Sequence, residues 1–398
     1  MSNLLKISQQ TLWQVAGKIV TSLSTFIILG LVARSYGEEG TGIFTLALTY
    51  LAIFYLLADF GFNAHELKRI KNQESRIKDL EFRRLLGTRI IWSALLVILA
   101  TATLPLWPFG SPLFSQAVLF GALAIIFSAV YTTCNLIFQS KLRYDLSVLA
   151  SGTGTLLSLL VFIYLISLKI PISFMLLVHL FGWIMIAMIA LWLAKGGFPV
   201  YSIPYTLKLF KSSWPIAATL AVNVVYFRAD SFMIAYFKGV ADVGVYNVAY
   251  QVFQSVLVLP TFIMNAYYPL MLKSLKEIKL VALGLFGLAG FGSLATLILA
   301  PLIIKILTGS GFAGSTPSLQ ILSLGFPAYF LSSLLMWILV TRGQYKVMLL
   351  VYAIGLIFNL TANFRFIPAY SFIAASWITV ISEYLILLMQ IMVLWRKR

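Results

Sequence analysis

The chain has 398 residues, 61% of them hydrophobic and 10% charged, with a mean hydropathy of +0.96 and a formal net charge of +17. A soluble chain of this size is about a quarter charged, which excludes an ordinary water-soluble globular domain. The positive charge does not point to nucleic acid either, because Lys and Arg sit in short clusters between apolar runs instead of forming one basic surface.

Apolar runs of about 20 residues recur from end to end, each long enough to cross roughly 30 Å of hydrocarbon. In chain order, twelve spans are predicted over 11–33, 42–63, 85–107, 114–138, 146–168, 172–194, 212–237, 243–270, 279–305, 316–340, 347–367 and 370–394. The expected fold class is an all-α polytopic membrane protein of about twelve transmembrane helices in two six-helix lobes. The expected lobes are 1–194 and 212–398, with 195–211 ("KGGFPVYSIPYTLKLFK") as a cytoplasmic linker. The N-terminal stretch lacks a convincing cleavage site after a short apolar core, so the first run reads as a retained span.

Orientation follows from the loops. With the N-terminus inside, 21 Lys and Arg fall in inside segments and 5 in outside segments. This asymmetry places both termini in the cytoplasm and the protein in the cell (inner) membrane as a multi-pass chain. The largest inside segment, 64–84 ("AHELKRIKNQESRIKDLEFRR"), reads as an interfacial amphipathic helix. The basic loops attract anionic lipid head groups, so membrane lipids are expected partners.

Several chemistries are not signalled. Cys134 is the single cysteine and has no partner for an internal disulfide. His65 and His179 stand alone without metal-ligand spacing, so no metal is expected. No phosphate-binding GxxxxGK[ST] sequence occurs, and "GTGTLLSLL" at 152–160 is a small-residue helix face. No cofactor, no ATP hydrolysis and no catalytic residue is expected, and no nucleic acid partner.

A short internal repeat is present. Gly37, Gly42 and Phe44 correspond to Gly239, Gly244 and Tyr246 at one constant offset. Both copies follow the first helix of a six-helix half. An even number of helices per half makes the repeat parallel, and transporters built this way bind substrate near the midplane.

Ionisable residues inside spans cost roughly 2.5–3.5 kcal/mol at the bilayer centre and usually serve a polar cavity or a partner. Arg228 lies about 5 Å from the midpoint of the seventh span and Lys18 about 6 Å from that of the first, by helical rise. Both are expected to line a central cavity, one from each half, and to offer positive charge to an anionic head group. Arg suits this because its guanidinium fork holds phosphate oxygens in two places. Arg228 and Asp230, two positions apart, point about 200° apart and do not pair. The ion-coupling or structural candidates are Glu383, Asp230, His179 and Asp59. For each a structural role is the competing reading: packing for Asp230 and His179, a neutral hydrogen-bonded acid for Glu383, and an interfacial salt bridge with Lys68 or Arg69 for Asp59. Lys18 has a similar alternative, snorkelling to the interface. Pro215, Pro260, Pro301 and Pro327 fall inside predicted spans, where kinks are tolerated.

Three stretches carry a family resemblance. "GLVARSYGEEGTGIFTLALTYLAIFYLLADFGF" (30–62) resembles the opening hairpin of polysaccharide-biosynthesis flippases, the Wzx-type exporters of O-antigen repeat units. "FRADSFMIAYFKGVADVGVYNVAYQV" (227–252) resembles the start of their second half, and "NFRFIPAYSFIAASWITVISEY" (363–384) their final hairpin. The family belongs to the multidrug/oligosaccharidyl-lipid/polysaccharide exporter superfamily. The resemblance implies a non-enzymatic transporter for surface polysaccharide export. Its substrate would be a polyprenyl-diphosphate-linked glycan, moved from the inner to the outer leaflet by alternating access. The drive would be ion or potential gradients, and other surface-polysaccharide assembly proteins would be possible partners. Arg228 and Lys18 would then take the places of the basic cavity residues. The alternatives are an ion-coupled small-molecule or drug antiporter of the same fold, and a membrane glycan polymerase or ligase. The second usually needs a large outer loop, which this chain lacks.

Overall fold

A computed structural model describes residues 3–71, 75–107, 111–272, 274 and 276–395, and among them the chain is almost wholly helical, without a strand. The helices are α1 (Asn3–Asp59), α2 (Phe62–Lys71), α3 (Ser75–Ala102), α4 (Pro112–Gly121), α5 (Ala124–Ser140), α6 (Tyr144–Ser167), α7 (Met175–Ala194), α8 (Ile203–Lys238), α9 (Val240–Val256), α10 (Val258–Met271), α11 (Ile278–Thr308), α12 (Ser315–Ser323), α13 (Phe326–Thr341) and α14 (Tyr345–Trp395). This is the all-α membrane fold the composition requires: with no water to bond the backbone, a spanning segment must satisfy its own amides.

Among the described residues eight helices are long and apolar enough to cross a membrane, or ten if each of two bent helix pairs is one span. The difference from the expected twelve lies partly in the two longest candidates, of 48 and 51 residues. Each is about twice what one crossing needs. Each also holds a single non-helical residue, Gly37 (φ 65°, ψ −165°) in α1 and Ser371 (φ 49°, ψ −136°) in α14. The expected loops at these points shrink to one residue, so the helices run through them.

Contacts group the chain into two compact units, Met1–Ser35 with Ile43–Val225, and Tyr36–Gly42 with Tyr226–Arg398. In the first unit α7 packs on α4, α5 and α6, while α2 and α3 pack on α5. In the second, α12 packs on α9, α11 and α14, and α13 joins α10, α11 and α14.

Segment 64–84 does not form one surface helix. It divides into α2 and the start of α3, with 72–74 outside the described residues. The apolar positions explain this, because Phe82, Leu85 and Leu86 are buried in the core beside α5 residues such as Leu136 and Ile137. The stretch after α7 is fastened to the same end of α3. Val200 N–H donates to Arg83 O at 3.0 Å, and Arg83 Nε donates to Phe198 O at 2.8 Å. Among the prolines, Pro327 stands in the first turn of α13 and Pro260 in that of α10, where no amide proton is needed. Pro215 and Pro301 lie inside α8 and α11.

The repeat has a geometric counterpart. Gly37 and Gly239 adopt the same backbone conformation, with φ of 65° and 96° and ψ of −165° and 174°. That region is essentially restricted to glycine. Five residues on, a Cβ on Gly42 would lie 1.7 Å from Val240 O, and one on Gly244 would lie 2.2 Å from Glu38 O. The two helix starts therefore pack backbone to backbone within the second unit, and only a residue without a side chain fits at either position. Gly42→Ala and Gly244→Ala should each lower the thermal midpoint of the detergent-purified protein, at an overpacking cost of about 1–3 kcal/mol or more. Gly284→Ala, where a Cβ meets nothing within 4 Å, should not lower it.

Candidate functional site

In the second unit, three polar side chains from two other helices converge on Asp230, which is 3% exposed. Tyr246 Oη from α9 donates to Asp230 Oδ2 at 2.9 Å, and Thr379 Oγ1 from α14 donates to the same oxygen at 3.1 Å. Asn363 Nδ2, also from α14, donates to Oδ1 at 2.7 Å. Asn363 bonds on to Asn359 Oδ1 at 3.0 Å, and Asn359 Nδ2 reaches Ser382 Oγ at 3.3 Å. Next to Asp230, Ser231 Oγ donates to Asn247 Oδ1 at 2.8 Å. Asp230 thus has three neutral donors and, among the described residues, no paired cation. Donors to a carboxylate make the stronger, charge-assisted kind of hydrogen bond, so the arrangement holds a negative charge in place. Among the described residues the buried oxygen of Asn363 has no hydrogen-bond partner. Carboxylate, amide and hydroxyl oxygens together form a hard ligand set, the kind that suits a hard cation and not a transition metal. Among the described residues no three His, Cys, Asp or Glu side chains gather to hold a metal.

Glu383 is the second buried carboxylate of this unit, 5% exposed, and accepts from Tyr226 Oη at 2.8 Å. Tyr226 and Asp230 flank Arg228 on α8. Asp230 is buried and Arg228 half-exposed, in keeping with the turn of the helix between them. Arg228 makes no hydrogen bond or ion pair among the described residues, and Tyr250 lies within its electrostatic reach. Both nearby acids are held by neutral donors, so the guanidinium keeps all its donors for something else.

In the first unit, the side chains of Lys68 and Arg69, the expected partners of Asp59, lie outside the described residues. Among the described residues the partner of Asp59 is Arg89 of α3, at 2.8 Å. The Arg89 side chain is fully buried, whereas that of Asp59 is 32% exposed. Arg89 Nη2 also reaches Asp59 O at 3.3 Å, Nη1 reaches Thr133 Oγ1 at 3.4 Å, and the guanidinium lies 5.5 Å from the centre of the Phe62 ring. The reason for the pairing is burial: a guanidinium taken out of water needs a counter-charge beside it. The bond also caps the last carbonyls of α1, where the chain turns through Phe60 (φ 47°) and Gly61 (φ 72°). Lys18 is exposed on α1 and its ammonium makes no ion pair among the described residues. His179 of α7 is half-buried and hydrogen-bonded by Tyr55 and Trp183.

Arg228, Asp230 and Glu383 all lie within electrostatic reach of Tyr250. The structure keeps Asp59 and His179 in separate clusters. The sequence reading missed Arg89 as the partner of Asp59, and it missed Tyr246, Asn359, Asn363 and Thr379 around Asp230. One signal was present: Asn359 and Asn363 stand four apart in an apolar helix and therefore share a face.

The sequence profile of the polysaccharide biosynthesis protein family matches residues 7–275. No curated protein matches the chain. Among solved structures, the lipid II flippase MurJ in an inward closed conformation is similar with a TM-score of 0.82 at 14% identity, over 96% of this chain and 87% of that one. An inward-facing multidrug resistance MATE transporter of the MOP superfamily gives 0.76 at 12% identity, over 95% and 94%. A MOP superfamily transporter from Pyrococcus furiosus gives 0.66 at 14% identity, over 98% and 94%. At these identities the likeness establishes the fold alone, the one these transporters share.

The buried ion pair carries a stability prediction. Asp59→Asn leaves the Arg89 guanidinium uncompensated and should destabilise the purified protein by about 3–5 kcal/mol. Replacing both partners, Asp59→Leu with Arg89→Met, should recover most of that loss. Thermal unfolding in detergent measures both; equal midpoints for Asp59→Asn and the parent chain would show that the pair carries no stability.

Proposed function

The chain belongs to the polysaccharide biosynthesis protein family, and from that premise we propose that it moves a polyprenyl-diphosphate-linked oligosaccharide from the inner to the outer leaflet. The observation that carries this reading is Arg228: half-exposed, on an apolar helix, and without a hydrogen bond or ion pair among the described residues. An uncompensated cation in a span is expensive, and a mobile anionic substrate accounts for keeping it. The guanidinium binds a diphosphate through paired N–H donors and stays charged throughout. Lys18, exposed on α1, supplies a second, more flexible positive charge.

No covalent bond changes in this task. The protein removes the barrier to carrying a charged head group and its sugars through hydrocarbon. A diphosphate carries about two negative charges. Moving one elementary charge through 100 mV is worth about 2.3 kcal/mol, so a cytoplasm-negative potential favours outward passage of the diphosphate. Asp230 is the preferred ion-coupling residue, because its fixed negative charge is ringed by oxygen ligands and not neutralised by Arg228. A cation bound there and released would change the charge felt by α8, α9 and α14 together. The protein works in the cytoplasmic membrane with both termini inside, as the distribution of Lys and Arg indicates.

A drug antiporter is the second reading, and Glu383 favours it, since a buried carboxylate with a single hydrogen-bond donor among the described residues suits a cationic substrate. The two readings separate on Arg228. With the variant present at normal membrane levels, Arg228→Ala should lower the display of lipid-linked glycan on the outer leaflet by roughly tenfold to a hundredfold, the worth of a charged hydrogen-bonded contact. Arg228→Lys should fall between, as a point charge without the fork. An impermeant glycan-binding reagent on intact spheroplasts reads the outcome. Unchanged display with Ala at 228, but none in a deletion strain, would remove Arg228 from the site. Unchanged display in the deletion strain would remove the function.

A further inference from the structure

The first unit holds a cluster that the diphosphate chemistry does not use. Tyr55 of α1, Tyr131 of α5 and His179 and Trp183 of α7 are all half-buried. The ring of Trp183 lies 5.7 Å from that of Tyr55, 6.2 Å from that of Tyr131 and 6.4 Å from that of His179. Tyr131 Oη and Ser147 Oγ of α6 are 2.9 Å apart. Trp183 Nε1 lies 3.1 Å from His179 Nε2, and Tyr55 Oη lies 2.9 Å from the same atom.

These bonds fix the state of the imidazole. An indole N–H only donates, so His179 Nε2 must accept and carries no proton. The proton of the neutral ring is then on Nδ1. That N–H has no hydrogen-bond partner among the described residues, nor is it among the buried atoms left unpaired. It is a donor whose direction the ring fixes.

Packing and the membrane interface account poorly for this cluster. The chain has a purely packed aromatic cluster for comparison: Phe60, Phe62, Phe210 and Trp92 pack ring to ring, and the Trp92 N–H is spent on Leu57 O at 2.7 Å. Aromatic residues of a membrane interface lie near span ends. Trp183 lies about 16 Å along the Ile172–Ala194 span by helical rise, near its middle. Rings facing lipid are far more open, as Trp192 and Trp214 show at 75% and 60% exposure. Inside hydrocarbon a free N–H must find an acceptor.

Half-open aromatic faces beside one fixed N–H donor have the recognition chemistry of a saccharide, whose apolar C–H face stacks on a ring while its hydroxyls accept and donate. We infer that Tyr55, Tyr131, His179 and Trp183 form a saccharide subsite that selects the glycan part of the substrate. This inference rests on the flippase reading and adds to it a specificity determinant separate from the cationic contact at Arg228.

The test is binding by the purified full-length protein in nanodiscs. The probes are farnesyl diphosphate and farnesyl diphosphate bearing a single glucose, galactose, N-acetylglucosamine or glucuronic acid. In the parent protein, at least one glycosylated probe should bind about tenfold more tightly than the bare diphosphate, the scale of one good ring contact with a hydrogen bond. Trp183→Phe, which keeps a ring but loses the N–H that sets the imidazole, should narrow that gap. His179→Phe, which keeps the bulk and removes the donor, should abolish most of it. Arg228→Ala should instead weaken bare and glycosylated probes alike. If no sugar improves binding in the parent, or if the His179 and Trp183 variants weaken bare and glycosylated probes equally, the subsite is overturned and the flippase reading stands. If the bare diphosphate itself fails to bind, the flippase reading falls and the subsite falls with it.

Discussion

Hydrocarbon offers no hydrogen-bond partners, and nearly every polar feature of this protein answers to that constraint. Leaving a donor, an acceptor or a charge unmet inside a span costs several kcal/mol. Asp230 is met by three donors from two other helices, and Arg89 by a carboxylate, a backbone carbonyl, a threonine and a ring face. Trp92 spends its N–H on a carbonyl at the end of α1. These bonds do more than satisfy the groups that make them. Each joins helices distant in sequence, so the need to hide polarity also fixes which helices pack together.

Against that background the groups that escape the rule carry the functional argument. Arg228 makes no hydrogen bond or ion pair among the described residues, and the Nδ1–H of His179 finds no acceptor there. Their surroundings differ. The two buried carboxylates of the same unit, Asp230 and Glu383, are occupied by neutral donors, which leaves the positive charge of Arg228 free among the described residues. His179 stands among tyrosine and tryptophan rings, which leaves a neutral donor beside aromatic faces. A diphosphate and a sugar are chemically distinct parts of one substrate, and these two surroundings match them separately.

The backbone obeys the same constraint in a different way. A loop inside the membrane would expose amides, and at three helix junctions the break is a single residue. Gly37 and Gly239 make the break with a conformation closed to residues that carry a Cβ, and Ser371 makes it with its side chain bonded to Asp242. Gly42 and Gly244 follow the first two breaks at the same interval and let the two helix starts approach backbone to backbone. The glycine repeat was readable because a residue type is the whole requirement at each position. The break at Ser371 was not, since nothing in a serine announces a positive φ.

Composition and hydropathy alone determined that this is an all-α membrane protein. Apolar length is a local property, and every residue contributes to it without reference to its neighbours in space. The basic loops, the glycine repeat and the charged positions in spans were legible for the same reason. Which charges are paired was not. Among the described residues Asp59 pairs with Arg89, thirty residues on, because α3 packs against the end of α1 and buries that guanidinium. Asp230 and Thr379 meet across more than a hundred residues. A polar side chain in a span has the same sequence signature whether it is spent or free. Only the packing of helices decides which, because a hydrogen bond reaches about 3 Å and sequence separation sets no such distance.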